Sequence, residues 1–231
     1  MPFGFFDPTM ILVLPALIFA MWAQWKVQNT YQKYSQVRAA NGMTGRDMAQ
    51  DIMTRNGVTD VRIEEVQGVL SDHYDPRSKT VRLSSNNFRA NSVASIAVAA
   101  HEVGHVLQHA QGYAPLAIRS AIAPVAGFGS MLAFPLFFIG IIFGGAHARI
   151  FMDIGIMLFT GAVLFQVVTL PVEFDASKRA LAQLTSTGAI APQEVAGAKK
   201  VLDAAALTYV AAAAMAALQL LRLVLIRDSR R

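Results

Sequence analysis

The residues of this chain that could do chemistry stand together at His101-Glu102-Val103-Gly104-His105. Positions four apart on an α-helix lie one turn apart on the same face, so both imidazoles can reach one cation at about 2 Å from each nitrogen. Glu102 is turned toward the flank, where its carboxylate can take a proton from a water beside the metal. This spacing is typical of zinc-dependent hydrolysis of peptide bonds.

The alternative interpretation of the motif is a chance match on a solvated helical face, which would need no metal. The eight-residue apolar run over residues 93–100 leads directly into the motif, and between residues 93 and 111 only Gly104 disfavours a helix. We therefore expect the motif in the middle of a buried helix. Because buried His and Glu side chains need partners, this placement favours a metal at His101 and His105.

The composition indicates a membrane protein. The chain has 231 residues, of which 54% are hydrophobic, and this is too apolar for an ordinary soluble domain. Four windows without charged residues are each long enough to cross a hydrocarbon core of about 30 Å as a helix. They cover residues 8–25, 120–146, 154–172 and 204–221. The expected fold class is a mainly α membrane protein with about four transmembrane helices and a small α+β, zincin-like portion.

These windows divide the chain into five predicted parts. They are an N-terminal transmembrane anchor (1–25), a soluble α+β part with a β-hairpin and the motif helix (26–119), a transmembrane helical hairpin (120–172), a helix for a third metal ligand with a connecting helix (173–203), and a C-terminal transmembrane helix with a basic tail (204–231). Residues 1–7 carry no Lys or Arg, so we expect a retained anchor rather than a cleaved signal peptide.

Four spans place both polar parts on one side of the membrane. Basic residues near the membrane ends are more numerous on that side than on the other. By the positive-inside rule we expect an integral membrane protein in which the side that carries both polar parts, and with them the active site, is cytoplasmic.

The charge and the cysteine content limit the partners. The formal net charge of +5 is dispersed rather than clustered with aromatic residues, so we expect no nucleic acid. The expected surroundings are a lipid bilayer, and the expected partners are peptide or protein substrates, including membrane proteins. Because the chain has no cysteine, imidazole and carboxylate groups remain to bind a metal.

The part before the motif is expected to support it. Thr44-Gly-Arg-Asp47 predicts a helix cap, and the β-rich stretches 61–66, 69–74 and 80–84, with a turn at 75–78, predict a β-hairpin beside the motif helix. Such a strand could pair with an extended peptide, or it could simply cover the helix. His73 and Tyr74 at the hairpin tip could donate hydrogen bonds to an oxyanion, although such residues more often brace a turn.

A catalytic zinc needs a third protein ligand and one open position. His109 is about 12 Å from His101 along the helix, which is too far for one ion. His147 is expected in a short turn on the opposite side of the membrane. A carboxylate therefore remains, and Glu173 follows Pro171 where the third span ends. Pro171 is expected to begin or kink a helix and so direct this segment toward the soluble part.

Glu173 is expected to face the motif helix. It shares a helical face with the small residues Ala176, Ser177 and Ala180, which allow close approach. Asp175 is expected to point elsewhere and pair with Arg179. The alternative is that Glu173 is an interfacial carboxylate in solvent, but a carboxylate at a membrane exit is otherwise costly.

With these residues in view, the chain resembles the YugP-type neutral zinc metallopeptidases of bacterial membranes over nearly its whole length. The resemblance is carried by the motif with Gln108, by Glu173-Phe-Asp-Ala-Ser177, by Asp72-His-Tyr-Asp-Pro76 and by the four apolar spans. More remotely, the chain resembles the HtpX-like membrane proteases, which are gluzincins. The family pattern places an Asp four residues after the Glu ligand, where this chain has Ser177.

The resemblance implies a membrane-bound peptidase that depends on zinc. The expected function is a zinc metalloendopeptidase in which His101, His105 and Glu173 hold Zn²⁺ and Glu102 is the general base for a zinc-activated water. The alternative is a catalytically silent membrane scaffold with a structural or sensory metal site, which a fourth protein ligand would favour. An intramembrane protease is disfavoured, because the apolar run before His101 is too short to span a bilayer.

Overall fold

The computed structural model describes residues 8–68, 71–143, 148–186 and 190–229. Of these residues 78% are helical, which confirms a mainly α fold, and one small sheet has three strands. After a 3-10 turn at Pro8–Leu12, the helices are α1 (Leu14–Ser35), α2 (Gly45–Arg55), α3 (Ser85–Arg89), α4 (Val93–Ala110), α5 (Ala114–Phe143), α6 (Ala148–Ser186) and α7 (Pro192–Asp228). The strands are β1 (Arg62–Val66), β2 (His73–Asp75) and β3 (Thr80–Ser84).

The chain divides into two compact units. The first, which we call the apolar unit, comprises Met1–Trp22, Ile118–Leu170 and Tyr209–Arg231. The second, which we call the sheet unit, comprises Ala23–Ala117 and Pro171–Thr208. Each unit therefore combines segments that are far apart in the sequence.

Small residues let the helices of the apolar unit approach closely. A Cβ atom added at Gly155 of α6 would lie 2.6 Å from the carbonyl oxygen of Ala133 in α5. The fully buried Phe137 packs nearby in a cluster that includes Met152. Small residues at contacts between apolar helices are typical of membrane proteins. Many large apolar side chains of this unit point outward, and Phe143 is 79% exposed, so the surface is suited to lipid.

Three helices in the described part of the chain are long and apolar enough to cross a membrane, namely α5, α6 and α7. The first predicted span falls on α1 and the turn before it, which are not among these three, so a fourth span stays a prediction. Pro171 lies inside the continuous helix α6, so the expectation that a helix begins at this proline is wrong, whereas a kink there stays a prediction. A proline removes one backbone donor, and neighbouring groups can compensate for that loss in a long apolar helix.

The predicted helix cap is present in the sheet unit. The Thr44 hydroxyl accepts a hydrogen bond from the Asp47 amide, and the Asp47 carboxylate accepts one from the Thr44 amide, which together form a capping box. The expected helix follows as α2. Its buried face, which includes Met48, Ile52 and Met53, packs in the core beside α4.

The predicted hairpin is formed by β2 and β3, which pair antiparallel with Tyr74 opposite Val81. The prediction did not foresee that β1 pairs with the other side of β3 in the parallel sense, with Ile63 opposite Val81. The strand order is β1-β3-β2, so β2 lies at one edge of the sheet. Residues 69 and 70, at the start of the predicted second strand, lie outside the described residues.

Candidate metal centre

Helix α4 positions the motif and is buried over most of its length. Its N-cap is Ser92, whose hydroxyl accepts a hydrogen bond from the amide of Ser95 at 3.1 Å. The side chains of Ile96 and Val103 are fully buried in the core of the sheet unit. His101 and His105 therefore lie in the middle of a helix, as the sequence predicts, and this helix is fixed by packing on both sides of them.

A close contact at Gly104 brings α6 against α4. A Cβ atom at this position would lie 2.4 Å from the backbone oxygen of Ala176, which is well inside contact distance. Only glycine therefore allows this separation of the two helices. Glu173 precedes Ala176 by about one helical turn on the same face, so the contact places its carboxylate beside the two imidazoles.

The structure brings His101, His105 and Glu173 together. The Oε2 atom of Glu173 lies 3.2 Å from Nε2 of His101 and 3.6 Å from Nε2 of His105. All three ligand atoms lie within 4.8 Å of one another. A tetrahedral zinc with bonds of 2.0–2.1 Å separates its ligands by about 3.3 Å, so the number, type and spacing of these atoms fit zinc.

Each imidazole is held through its Nδ1 atom. His101 Nδ1 lies 3.1 Å from the hydroxyl of Ser177 on α6, and His105 Nδ1 lies 3.0 Å from the amide oxygen of Gln108. Since an amide oxygen only accepts, His105 donates this hydrogen bond from Nδ1 and leaves Nε2 free for a metal. Ser177, four residues after Glu173, thus contacts a histidine of the cluster.

Gln108 connects His105 to α6, a contact that the sequence did not predict. Its side chain is fully buried, and its Nε2 atom donates to the backbone oxygen of Val172 and to Asp175, both at 2.8 Å. Asp175 also accepts from Arg179 at 2.5 Å, which confirms the predicted pair. The signal in the sequence was the position of Gln108, a polar residue three after His105 on a buried helical face.

Glu102 is buried beside the cluster but is not part of it. Its carboxylate accepts a hydrogen bond from the backbone amide of Tyr74 in β2. Burial, with smaller contributions from the negative charges of Glu173 and Asp72, raises the pKa of Glu102 to about 7, although the nearby His101 opposes the rise. A carboxyl group with a pKa near neutrality is suited to taking up and returning a proton.

The other histidines considered in the sequence lie elsewhere. His109 Nδ1 is 2.7 Å from the hydroxyl of Tyr74, and His109 does not belong to the cluster. Burial, followed by the charges of Asp60 and Asp75, raises the pKa of Tyr74 to about 12. His73 contacts the backbone oxygen of Ser71 within its own turn. His147 lies outside the described residues.

Comparison with known proteins shows the family of the chain. Residues 9–228 match the family described as "Putative neutral zinc metallopeptidase", and the chain belongs to that family. It is also 47% identical over 215 residues to the "Putative membrane protease YugP" of Bacillus subtilis (strain 168), a match that covers 93% of this chain and 94% of that protein. No solved structure matches the chain. The predicted resemblance to the neutral zinc metallopeptidases of membranes is confirmed, and zinc is the metal that the family implies. The more remote resemblance to the HtpX-like proteases stays a prediction.

Proposed function

We propose that the protein is a membrane-embedded zinc metalloendopeptidase in which His101, His105 and Glu173 hold Zn²⁺ and Glu102 is the general base. The observation that carries this proposal is the convergence of three ligand atoms within 4.8 Å, from two segments far apart in the chain, beside a separate buried carboxylate. The family and the named relative support the same class of enzyme.

Zinc bound here would supply a Lewis acid that polarises the peptide carbonyl and makes a water more acidic. The chain supplies the proton transfer. Glu102, with its pKa raised to about 7, takes a proton from the attacking water and returns it to the amine of the leaving group. Ser177 and Gln108 hold the two imidazoles so that their Nε2 atoms face the carboxylate of Glu173.

The cluster favours an enzyme over a scaffold with a structural metal. Within the part of the chain that the structure describes, the cluster comprises two histidines and one glutamate and no fourth His, Asp or Glu. Structural zinc sites are usually closed by four protein ligands, whereas catalytic sites keep one position for water or substrate. Three ligands therefore support catalysis.

The substrate is proposed to be an extended peptide or protein segment, including segments of membrane proteins. β2 is an edge strand, and its Tyr74 amide already contacts Glu102. A peptide that paired along this edge would bring its backbone to the general base. We propose that the sheet unit is zincin-like in this respect, because an edge strand lies beside the helix that carries the metal ligands.

We further propose that α1 forms the fourth span and that the sheet unit faces the cytoplasm of a bacterial plasma membrane. α1 exposes Leu17, Ile18 and Met21, which suits contact with lipid. A tag fused after Arg231 tests the orientation in intact cells. Because α5, α6 and α7 separate residues 36–92 from the C-terminus, we expect the tag to be accessible from outside and residues 36–92 to be protected. A protected tag, with residues 36–92 digested from outside, would overturn the cytoplasmic placement.

The decisive experiment measures bound zinc and casein cleavage in the purified full-length protein. The wild-type protein should contain zinc and lose cleavage with a chelator. Glu102→Gln should keep its zinc but lose cleavage by about 10²- to 10⁴-fold, because an amide preserves the shape and cannot accept the proton. Glu64→Gln, the same change on the outer sheet edge, is the control and should cleave normally. Cleavage that survives both the chelator and Glu102→Gln would exclude the proposed mechanism.

A further inference from the structure

We propose that a groove between α1 and α7 in the sheet unit binds the headgroup of an anionic phospholipid. The groove has a volume of about 460 Å³ and is lined by one face of each helix. Trp25, Asn29 and Lys33 line it from α1, and Lys200 and Leu207 line it from α7. It is separate from the candidate metal centre, because none of the metal-centre residues lines it.

The charge of the groove is complementary to a phosphate. Lys26, Lys33 and Lys200 all line it, and none of them forms an ion pair with another described residue. The one carboxylate in the lining, that of Asp203, already pairs with Lys199 outside the lining, with 2.5 Å between Nζ and Oδ2. Three lysines thus line a space whose one carboxylate already has a partner.

The position of the groove along both helices selects a lipid over a soluble anion. Lys26 is the first charged residue after the charge-free window 8–25, and Asp203 directly precedes the charge-free window 204–221. The lining therefore lies where both sequences change from apolar to charged, which is the depth of lipid headgroups in a membrane. Trp25 is typical of this depth, and Leu207 provides an apolar wall for the beginning of an acyl chain. Basic pockets between helices at this level bind anionic headgroups in other membrane proteins.

Trp25 provides a direct probe of the groove. The chain has two tryptophans, so Trp22→Phe leaves Trp25 as the only one. This full-length variant is reconstituted in phosphatidylcholine nanodiscs that contain increasing fractions of brominated phosphatidylglycerol, whose bromine atoms quench tryptophan fluorescence on contact. Brominated phosphatidylcholine is the reference lipid. Phosphatidylglycerol should quench Trp25 at a mole fraction about tenfold lower than phosphatidylcholine does. Equal quenching by the two lipids would overturn the proposal.

Two variants and one control separate the groove from general surface charge. Replacing Lys26, Lys33 and Lys200 together by Gln should remove the preference for phosphatidylglycerol. Asn29→Phe should also remove it, because a large side chain fills the groove while all three charges remain. Replacing Arg46, Arg62 and Arg77 by Gln removes three charges from the same unit outside the groove and should leave the preference unchanged. A loss in this control equal to that in the lysine variant, or normal binding by Asn29→Phe, would refute the site.

Competition distinguishes a lipid from a free phosphate ion. Inorganic phosphate at millimolar concentration is added to the nanodiscs, with sodium chloride of equal ionic strength as the comparison. We expect phosphate to displace no more phosphatidylglycerol than chloride does, since a free ion lacks the contact with Leu207. Selective displacement by phosphate would show a site for a soluble anion and overturn the assignment to lipid.

Discussion

Helices α4 and α6 contribute to the same cluster, but they are held in different ways. Most of the 18 residues of α4 are buried, on all sides of the helix. Around Glu173, only one face of α6 is buried, and Phe174 on the opposite face is 50% exposed. The two histidines are therefore positioned by a core, whereas the carboxylate is positioned by one helix–helix contact. The geometry of the cluster depends mainly on that contact.

The two imidazoles are also held in different ways, one directly by α6 and one through Gln108. His101 is held directly by α6, through the Ser177 hydroxyl. His105 is held by Gln108 of its own helix, and Gln108 in turn donates to Val172 and Asp175 of α6. Both orientations therefore depend on α6, one through a partly exposed hydroxyl and the other through a buried amide. The following predictions test which of these supports matters most.

Removing the carboxylate of α6 should have the largest effect. Glu173→Gln keeps the size of the side chain but removes the negative charge and one metal ligand. We expect the affinity for zinc to fall by at least the 10- to 100-fold that is typical when a supporting residue is lost, and cleavage to fall with it. Zinc affinity is measured by competition with a chelator of known strength. Thr185→Ala, an exposed change on the same helix, is the control, and normal zinc binding by Glu173→Gln would remove this residue from the site.

Separating the two helices should have the next largest effect. In Gly104→Ala the new methyl group would meet the backbone oxygen of Ala176 at 2.4 Å, so α6 must shift. Overpacking of this kind typically costs about 1–3 kcal/mol of stability. The shift also withdraws Glu173, so we expect zinc affinity to fall even in protein that remains folded. Thermal unfolding and zinc titration are measured together, with Ala110→Gly at the end of α4 as a control for helix propensity. Unchanged zinc affinity would show that the contact does not set the position of Glu173.

The buried support of an imidazole should matter more than the exposed one. Gln108→Leu is similar in size and removes both the acceptor for His105 and the donors to α6, so we expect a loss of zinc affinity of about 10- to 100-fold. For Ser177→Ala we expect a loss of zinc affinity at the lower end of this range, because water can replace a partly exposed hydroxyl. The reverse order would show that the direct bond from α6 to His101 is the more important support.

The sequence predicted the parts of the site that depend on local spacing. Residues four apart on a helix share a face, and a capping box or a hairpin turn is formed by neighbours in the chain, so the motif helix, α2 and the β2–β3 hairpin were all predicted correctly. Glu173 was selected by elimination, and the structure places it beside both histidines. The parallel pairing of β1 was missed, because it depends on a contact between distant segments. The role of Gln108 was missed for the same reason, since its partners on α6 are 64 and 67 residues away.

The smallest expected effect is at Asp175, and it tests whether support for His105 extends beyond Gln108. The sequence predicted that Asp175 points away from the motif helix and pairs with Arg179, whereas the structure shows that it pairs with Arg179 and also accepts from Gln108 of that helix. Asp175→Asn keeps an acceptor for Gln108 but removes the charge from this partly exposed pair. Exposed pairs contribute roughly 0.2–1 kcal/mol, so zinc affinity should fall by no more than about fivefold. If Asp175 acts through Gln108, the variant should have no further effect in a Gln108→Leu background, because the chain to His105 is already broken. Equal effects of Asp175→Asn with and without Gln108 would mean that Asp175 acts on the site by another route.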